Sequence, residues 1–226
     1  MSRAHKPKAG FWIRLCVAIL YPLDTLLFKI RWHHLDRIPE TGGVLLAVNH
    51  ISQADPAAMA RMIWQAGRLP RFLIKSGVFG WPIVGRMMTG AGQIPVYRGT
   101  ADAQNSLRAA TNALQDGECV IIYPEGTITS DPDYWPMPAK TGVARIALDN
   151  PEIPVLPIGQ WGAQRTLGRG GRFRPVPRHR HEATVGEPID LSAFRGREQS
   201  ADLLDEVTAV IMAAITAEVA QLREQR

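Results

Sequence analysis

Cysteine is scarce in this chain of 226 residues: Cys16 and Cys119 are the only two, each inside an apolar stretch. So distant a pair builds neither a disulfide framework nor a clustered zinc site, and both read as buried thiols of a protein kept in a reducing compartment. Long hydrophobic runs are missing too. The most apolar segment, 11–30, has 15 hydrophobic residues in 20, but Arg14, Asp24 and Lys29 interrupt it, and its longest charge-free run is nine residues. A simple transmembrane helix needs about 20. Arg3, Lys6 and Lys8 precede the segment as a signal peptide would require, yet no small-x-small cleavage site follows. The expectation is a retained N-terminal segment, 1–32, forming an amphipathic helix or a helical pair broken near Pro22 and lying in the membrane interface, with a buried core helix as the alternative.

Several chemical signatures are absent. There is no P-loop, no G-x-G-x-x-G after the first strand and no Cys/His ligand cluster, so nucleotide hydrolysis, dinucleotide redox chemistry and zinc catalysis lack support. The G-x-S-x-G elbow of a serine nucleophile is missing as well. No metal and no cofactor are expected.

What is present is 46% hydrophobic and 21% charged residues, enough for one sizeable domain, 33–226, and too little charge for a disordered tail. Lys and Arg outnumber Asp and Glu by 26 to 21, a net charge of +5 that favours anionic partners. Short apolar runs at 44–48, 72–74, 93–97, 119–123 and 155–158 alternate with helical patterns at 56–65, 101–115 and 140–148. That order predicts an α/β domain with a mixed, largely parallel sheet flanked by helices. From 153 to 181 there is no acidic residue but six arginines, with Gly168, Gly170 and Gly171 among them, which reads as a solvated basic loop or ribbon. Ser200 then caps a closing amphipathic helix.

Candidate chemistry concentrates where strands end. In Asn49-His-Ile-Ser-Gln-Ala-Asp55, His50 follows a strand and Asp55 opens the next helix. Such a turn can fold back so that the carboxylate holds one imidazole nitrogen and leaves the other free as a general base. Equally, Asp55 can be an N-cap and His50 a surface histidine. Tyr123-Pro-Glu-Gly-Thr127 ends another strand. Its Gly126 permits close backbone approach to a ligand, and Glu125 can accept a hydrogen bond from a hydroxyl or a positioning group. Arg98, after Ile94-Pro-Val-Tyr97, has the planar fork that grips phosphate.

These blocks, followed by Val155-Leu-Pro-Ile158, occur in the order and spacing that resemble the glycerolipid acyltransferase family, in particular its bacterial 1-acylglycerol-3-phosphate (lysophosphatidate) acyltransferases, over roughly residues 40–190. The resemblance implies that His50 and Asp55 are the catalytic H-x4-D pair and that Arg98 and Lys75 contact phosphate. It further implies that Glu125, Gly126 and Thr127 shape the acceptor site and that 155–158 line an acyl or acceptor pocket. Backbone amides, with Asn49, would stabilise the oxyanion. The implied reaction is acyl transfer from acyl-CoA or acyl carrier protein to a lysophospholipid hydroxyl, at the cytoplasmic side of a cell membrane.

One departure bears on the acceptor. The family's third block usually reads Phe-Pro-Glu-Gly-Thr-Arg, whereas Tyr123 and Ile128 stand at its ends here. Either Lys140 supplies the missing charge or the acceptor has a larger phospholipid or glycolipid headgroup. Two rival readings remain open: a hydrolase using the same pair on phospholipid esters, and an anionic-surface or nucleic-acid binding module built on the arginine run. The run lacks interleaved stacking aromatics, Phe173 being the only one, so lipid headgroups, the phosphates of CoA or an acidic carrier protein suit it better than nucleic acid.

Overall fold

A computed structural model describes residues 9–97 and 102–224. Arg98 and the basic flank of Arg3, Lys6 and Lys8 therefore lie outside the described residues. Seven strands form one sheet: β1 (Phe28–His33), β2 (Val44–Val48), β3 (Pro70–Lys75), β4 (Ile94–Val96), β5 (Cys119–Ile122), β6 (Val155–Trp161) and β7 (His179–Val185). The spatial order is β1-β7-β6-β2-β5-β3-β4, and every neighbouring pair is parallel except β6 and β7. The mixed, largely parallel sheet flanked by helices is thus as expected.

Parallel strands buried on both faces read as continuous apolar runs, and β2, β5 and β6 are buried throughout. Their alternate residues serve two cores. Leu45, Ala47, Val120, Ile122 and Val155 pack under α4 (Ala103–Gln115), α5 (Gly142–Asp149) and α7 (Ala201–Glu224). Val44, Leu46, Val48, Ile121, Leu156 and Ile158 face α2 (Asp55–Gln65) through Met59, Met62 and Ile63. The expectation that 155–158 line a pocket is corrected here: β6 sits at the middle of the sheet and spends these side chains on the cores. A Cβ on Gly159 would fall 2.5 Å from the backbone carbonyl carbon of Glu218, so glycine is what lets α7 press against β6. Ser200 Oγ accepts the amide of Leu203 at 3.2 Å, the cap expected for α7.

The N-terminal segment differs from expectation in two ways. α1 (Phe11–Leu27) runs through Pro22 as one helix, and residues 28–33 are β1, paired with β7. The helical segment therefore ends at Leu27, and the 1–32 boundary cuts through a strand. No helix among the described residues is long and apolar enough to cross a membrane. α1 packs against α2 and against α3 (Pro82–Gly90), a helix that is not among the three helical patterns expected between the strands. Its outer face leaves Phe11 and Leu26 each 70% exposed, together with Ile19 and Leu23. Trp81, which precedes α3, and Ile83 in its first turn are also exposed.

The inner face of α1 holds an ionisable group. Asp24 is buried, and its carboxyl is pushed up to about 7 by loss of solvent, against the opposing pull of Arg61. Arg61 donates to Thr25 Oγ1 at 2.7 Å and lies 3.9 Å from the centre of the Tyr21 ring, tying α2 to α1. A carboxyl that ionises near 3.8 in the unfolded chain and near 7 in the fold keeps its proton longer in the native state. Stability therefore falls as pH rises through that window. Asp24→Asn is expected to leave the melting temperature near pH 4 almost unchanged and to raise stability above pH 7 by roughly 4 kcal/mol. Thermal melts across this range check it, and a wild-type melting temperature that stays level between pH 4 and 7 contradicts it.

Candidate active site

Because β2, β3, β5 and β6 run parallel, their C-terminal ends share one edge, where open α/β folds place their sites. Lys75 ends β3, Asn49 and His50 follow β2, and Tyr123 follows β5. In the turn from β2 to α2, the Oδ2 atom of the fully buried Asp55 accepts hydrogen bonds from three donors: His50 Nδ1 at 2.9 Å and the backbone amides of Ile51 at 2.7 Å and Ser52 at 2.8 Å. The N-cap reading of Asp55 does not hold. Ala54 occupies the cap position, and the carboxylate binds residues before the helix rather than its first turn. With Nδ1–H donated to Asp55, the tautomer that fits leaves a lone pair on His50 Nε2.

A second strap fixes the backbone of His50. Its amide donates to Glu125 Oε1 at 2.8 Å, and its carbonyl accepts the amide of Thr129 at 2.8 Å. Glu125 Oε2 accepts the amide of Met137 at 3.1 Å. Burial raises the Glu125 carboxyl above its ordinary range, while those amide bonds pull it the other way. Glu125 thus joins two loops through its carboxylate and is not directed at a substrate. Gly126, at φ +71°, makes the turn that allows this.

Asn49 is also committed within the protein. Its Oδ1 accepts Gln160 N–H at 2.8 Å, its Nδ2 donates to the Gln160 carbonyl at 3.1 Å, and its own carbonyl accepts Gln160 Nε2 at 2.7 Å. An oxyanion contact from the Asn49 side chain is therefore corrected to a positioning role: it locks the end of β2 to β6. Gln160, absent from the sequence reading, was signalled by a polar residue interrupting an apolar strand, since a buried amide needs partners. Tyr123 stands where the family's third block usually has phenylalanine. It stacks on His50, centroids 4.3 Å apart and planes 23° from parallel, and packs beside Phe72. Its buried hydroxyl is held well above the ordinary phenol range by burial and then by the nearby Asp55 charge.

The imidazole opens into a cavity of about 420 Å3 whose wall includes Lys75, Val78, Tyr123, Gly126 and Lys140. Thr127 and Glu125 do not line it, and both lysines are exposed. Pro56, Phe72, Ile74 and Met88 separate this cavity from a second, almost wholly apolar pocket of about 130 Å3, reaching to Ile13, Leu20 and Trp64 between α1 and α2. In the apolar stretch 78–87, Val78 lines the cavity while Trp81 and Ile83 are exposed. Among the described residues no group of three or more His, Cys, Asp or Glu side chains is placed to hold a metal.

The sequence matches the acyltransferase family over residues 29–161, more than half of the chain. The chain belongs to that family. It is 25% identical over 213 residues to the chloroplastic 1-acyl-sn-glycerol-3-phosphate acyltransferase BAT2 of Brassica napus, covering 90% of this chain and 57% of the relative. It is 23% identical over 186 residues to the 1-acyl-sn-glycerol-3-phosphate acyltransferase of Bacillus subtilis, covering 80% of this chain and 84% of that one. The chain thus spans little more than half the length of the plant relative and most of the bacterial one. In fold it is similar to the crystal structure of the 1-acyl-sn-glycerophosphate (LPA) acyltransferase PlsC from Thermotoga maritima, with a TM-score of 0.69 at 20% identity over 93% of this chain and 79% of that one. In this acyltransferase-family chain the paired His50 and Asp55 stand within the matched region, at the sheet edge where the parallel strands end.

Proposed function

We propose that the protein transfers an acyl group from a thioester to the free hydroxyl of a lysophospholipid, with 1-acylglycerol-3-phosphate as acceptor and phosphatidic acid as product. The observation that carries this reading is the orientation of His50: Asp55 holds Nδ1 while the ring faces a cavity rimmed by two lysines, with an apolar pocket on the other side of its Phe72 and Met88 wall. His50 Nε2 takes the hydroxyl proton as the oxygen attacks the thioester carbonyl carbon. The tetrahedral intermediate then expels the thiolate, which recovers that proton from the imidazolium. No enzyme nucleophile takes part, so the acceptor must be present for the thioester to be consumed, unlike in a hydrolase.

Lys75 and Lys140 are suited to the acceptor phosphate, and Lys140 stands in for the basic residue that Ile128 replaces. The apolar pocket behind Phe72 and Met88 is suited to an acyl chain. The exposed Phe11, Ile19, Leu23, Leu26, Trp81 and Ile83 support a membrane-surface location, where such chains are delivered. A larger headgroup remains the second reading, because Ile128 removes a charge from the third block. Mass-spectrometric product analysis with a panel of lysolipids, using both acyl-CoA and acyl carrier protein, decides between them. Lys75→Ala and Lys140→Ala are each expected to raise the apparent KM for lysophosphatidate by about 5–30-fold, as loss of a charge-assisted contact does, with kcat less affected. An unchanged KM in both variants leaves the phosphate reading of this cavity without support.

A further inference from the structure

The arginine stretch is not an open loop. It folds into α6 (Ala163–Thr166), a short turn at 169–171 and the start of β7, and these enclose a second polar cleft of about 440 Å3. Its wall is formed by Arg165, Arg169, Arg172, Arg174, His179 and Tyr134, and no carboxylate lines it. Among the described residues none of these four arginines is ion-paired, although Arg37, Arg71, Arg180, Arg195 and Arg197 elsewhere in the chain all are. Four guanidinium groups held round one concavity without a counter-charge raise the local potential and favour an anion there.

The cleft is built, not incidental. Arg169 lies 4.6 Å from the centre of the Tyr134 ring, and Tyr134 itself adopts φ +62°, a left-handed conformation that non-glycine residues seldom take. Tyr134 is braced by an edge contact with Trp161, and the cleft is tied to the catalytic turn by two routes. Arg169 Nη1 approaches the Thr129 carbonyl at 3.5 Å, and Thr129 N–H holds the His50 carbonyl. Ser52 Oγ donates to the Leu167 carbonyl at 2.7 Å. No residue is shared between the cleft and the cavity that His50 faces.

We infer that this cleft binds the phosphate-bearing nucleotide end of a nucleotide thioester donor, while its acyl end reaches His50. The inference rests on the acyl-transfer reading. A phosphomonoester carries about two negative charges, fewer than four arginines accommodate, whereas a diphosphate with an additional phosphomonoester matches them. Arginine forks bind phosphate oxygens bidentately, and the Tyr134 ring with its stacked guanidinium offers a platform for a base. A long flexible arm between phosphates and thioester accounts for a phosphate site that does not line the reaction cavity. The concave shape fits a compact polyphosphate better than it fits a flat bilayer.

The test uses the full chain and adenosine 3′,5′-bisphosphate as probe. Titration calorimetry is expected to show binding that weakens at least tenfold in Arg172→Ala/Arg174→Ala, while Arg172→Lys/Arg174→Lys keeps part of it. Both arginines are exposed, so the melting temperature is expected to stay level. In steady-state assays the alanine pair is expected to raise KM for acyl-CoA at least tenfold with kcat and the KM for lysophosphatidate little changed. A rise in the lysophosphatidate KM instead would make the cleft an acceptor site and overturn the inference. A rise only for acyl carrier protein overturns it in favour of an acidic protein surface, and unchanged probe binding overturns it outright. Arginine-dependent probe binding by a protein that acylates no lysolipid leaves the cleft standing and removes the acceptor reading, so the two failures are distinguishable.

Discussion

His50→Ala is expected to lower kcat for acyl transfer by about 10²–10⁴-fold, the usual cost of losing a positioned general base. The side chain is only partly exposed, and its removal leaves the amide bond to Glu125 and the carbonyl bond from Thr129 intact, because both involve the backbone. The turn is therefore expected to persist, with acceptor KM changing little. His50→Gln provides a second variant that fills the space under the Tyr123 ring without a titratable nitrogen, and it should be equally slow. Near-native rates in either purified variant would remove His50 from the mechanism and with it the acyl-transfer chemistry proposed for this edge of the sheet.

The second large effect concerns Asp55, where activity and stability separate. Asp55→Asn keeps an oxygen that can accept the amides of Ile51 and Ser52, so the fold should tolerate it. It removes the negative charge opposite the imidazolium that forms as the acceptor attacks, and kcat is expected to fall by about 10²–10⁴-fold. Asp55→Ala leaves buried donors without partners at a cost of roughly 1–3 kcal/mol each, so it should also lower the melting temperature by several degrees. A slow but stable asparagine variant beside a slow and destabilised alanine variant is the expected pair of results. If both variants melted like wild type, the carboxylate would not be what holds this turn closed.

Much of this protein was legible before folding was considered. The runs at 44–48 and 119–123 read as strands, and strands are found at both. Asp-Pro at 55–56 placed a helix start where it is found, and the blocks around His50 and Glu125 marked two strand ends. Residues of mixed character were harder. β7 begins His-Arg-His-Glu and looks like a solvated ribbon, yet pairing with β1 on one side and β6 on the other makes it an interior strand in which His181 and Glu182 are buried. β1 was hidden behind the apolar helix that runs into it, because apolar runs of this length do not tell helix from strand.

The chain's own pattern of residues therefore determined the fold class, the positions of its central strands along the chain and the candidacy of His50 and Asp55, which are five residues apart and meet through a local turn. Only tertiary structure decided what Asn49, Glu125 and the arginines do. Asn49 finds its partner 111 residues away in Gln160, and Glu125 meets the His50 amide across 75 residues. Tyr134 meets Arg169 and closes a cleft that the arginine spacing alone presents as an open loop. Local periodicity records which face of an element is buried. It does not record which distant backbone group a polar side chain must satisfy once the sheet is assembled, and that demand turned two expected substrate contacts into struts and a basic loop into the border of a cleft.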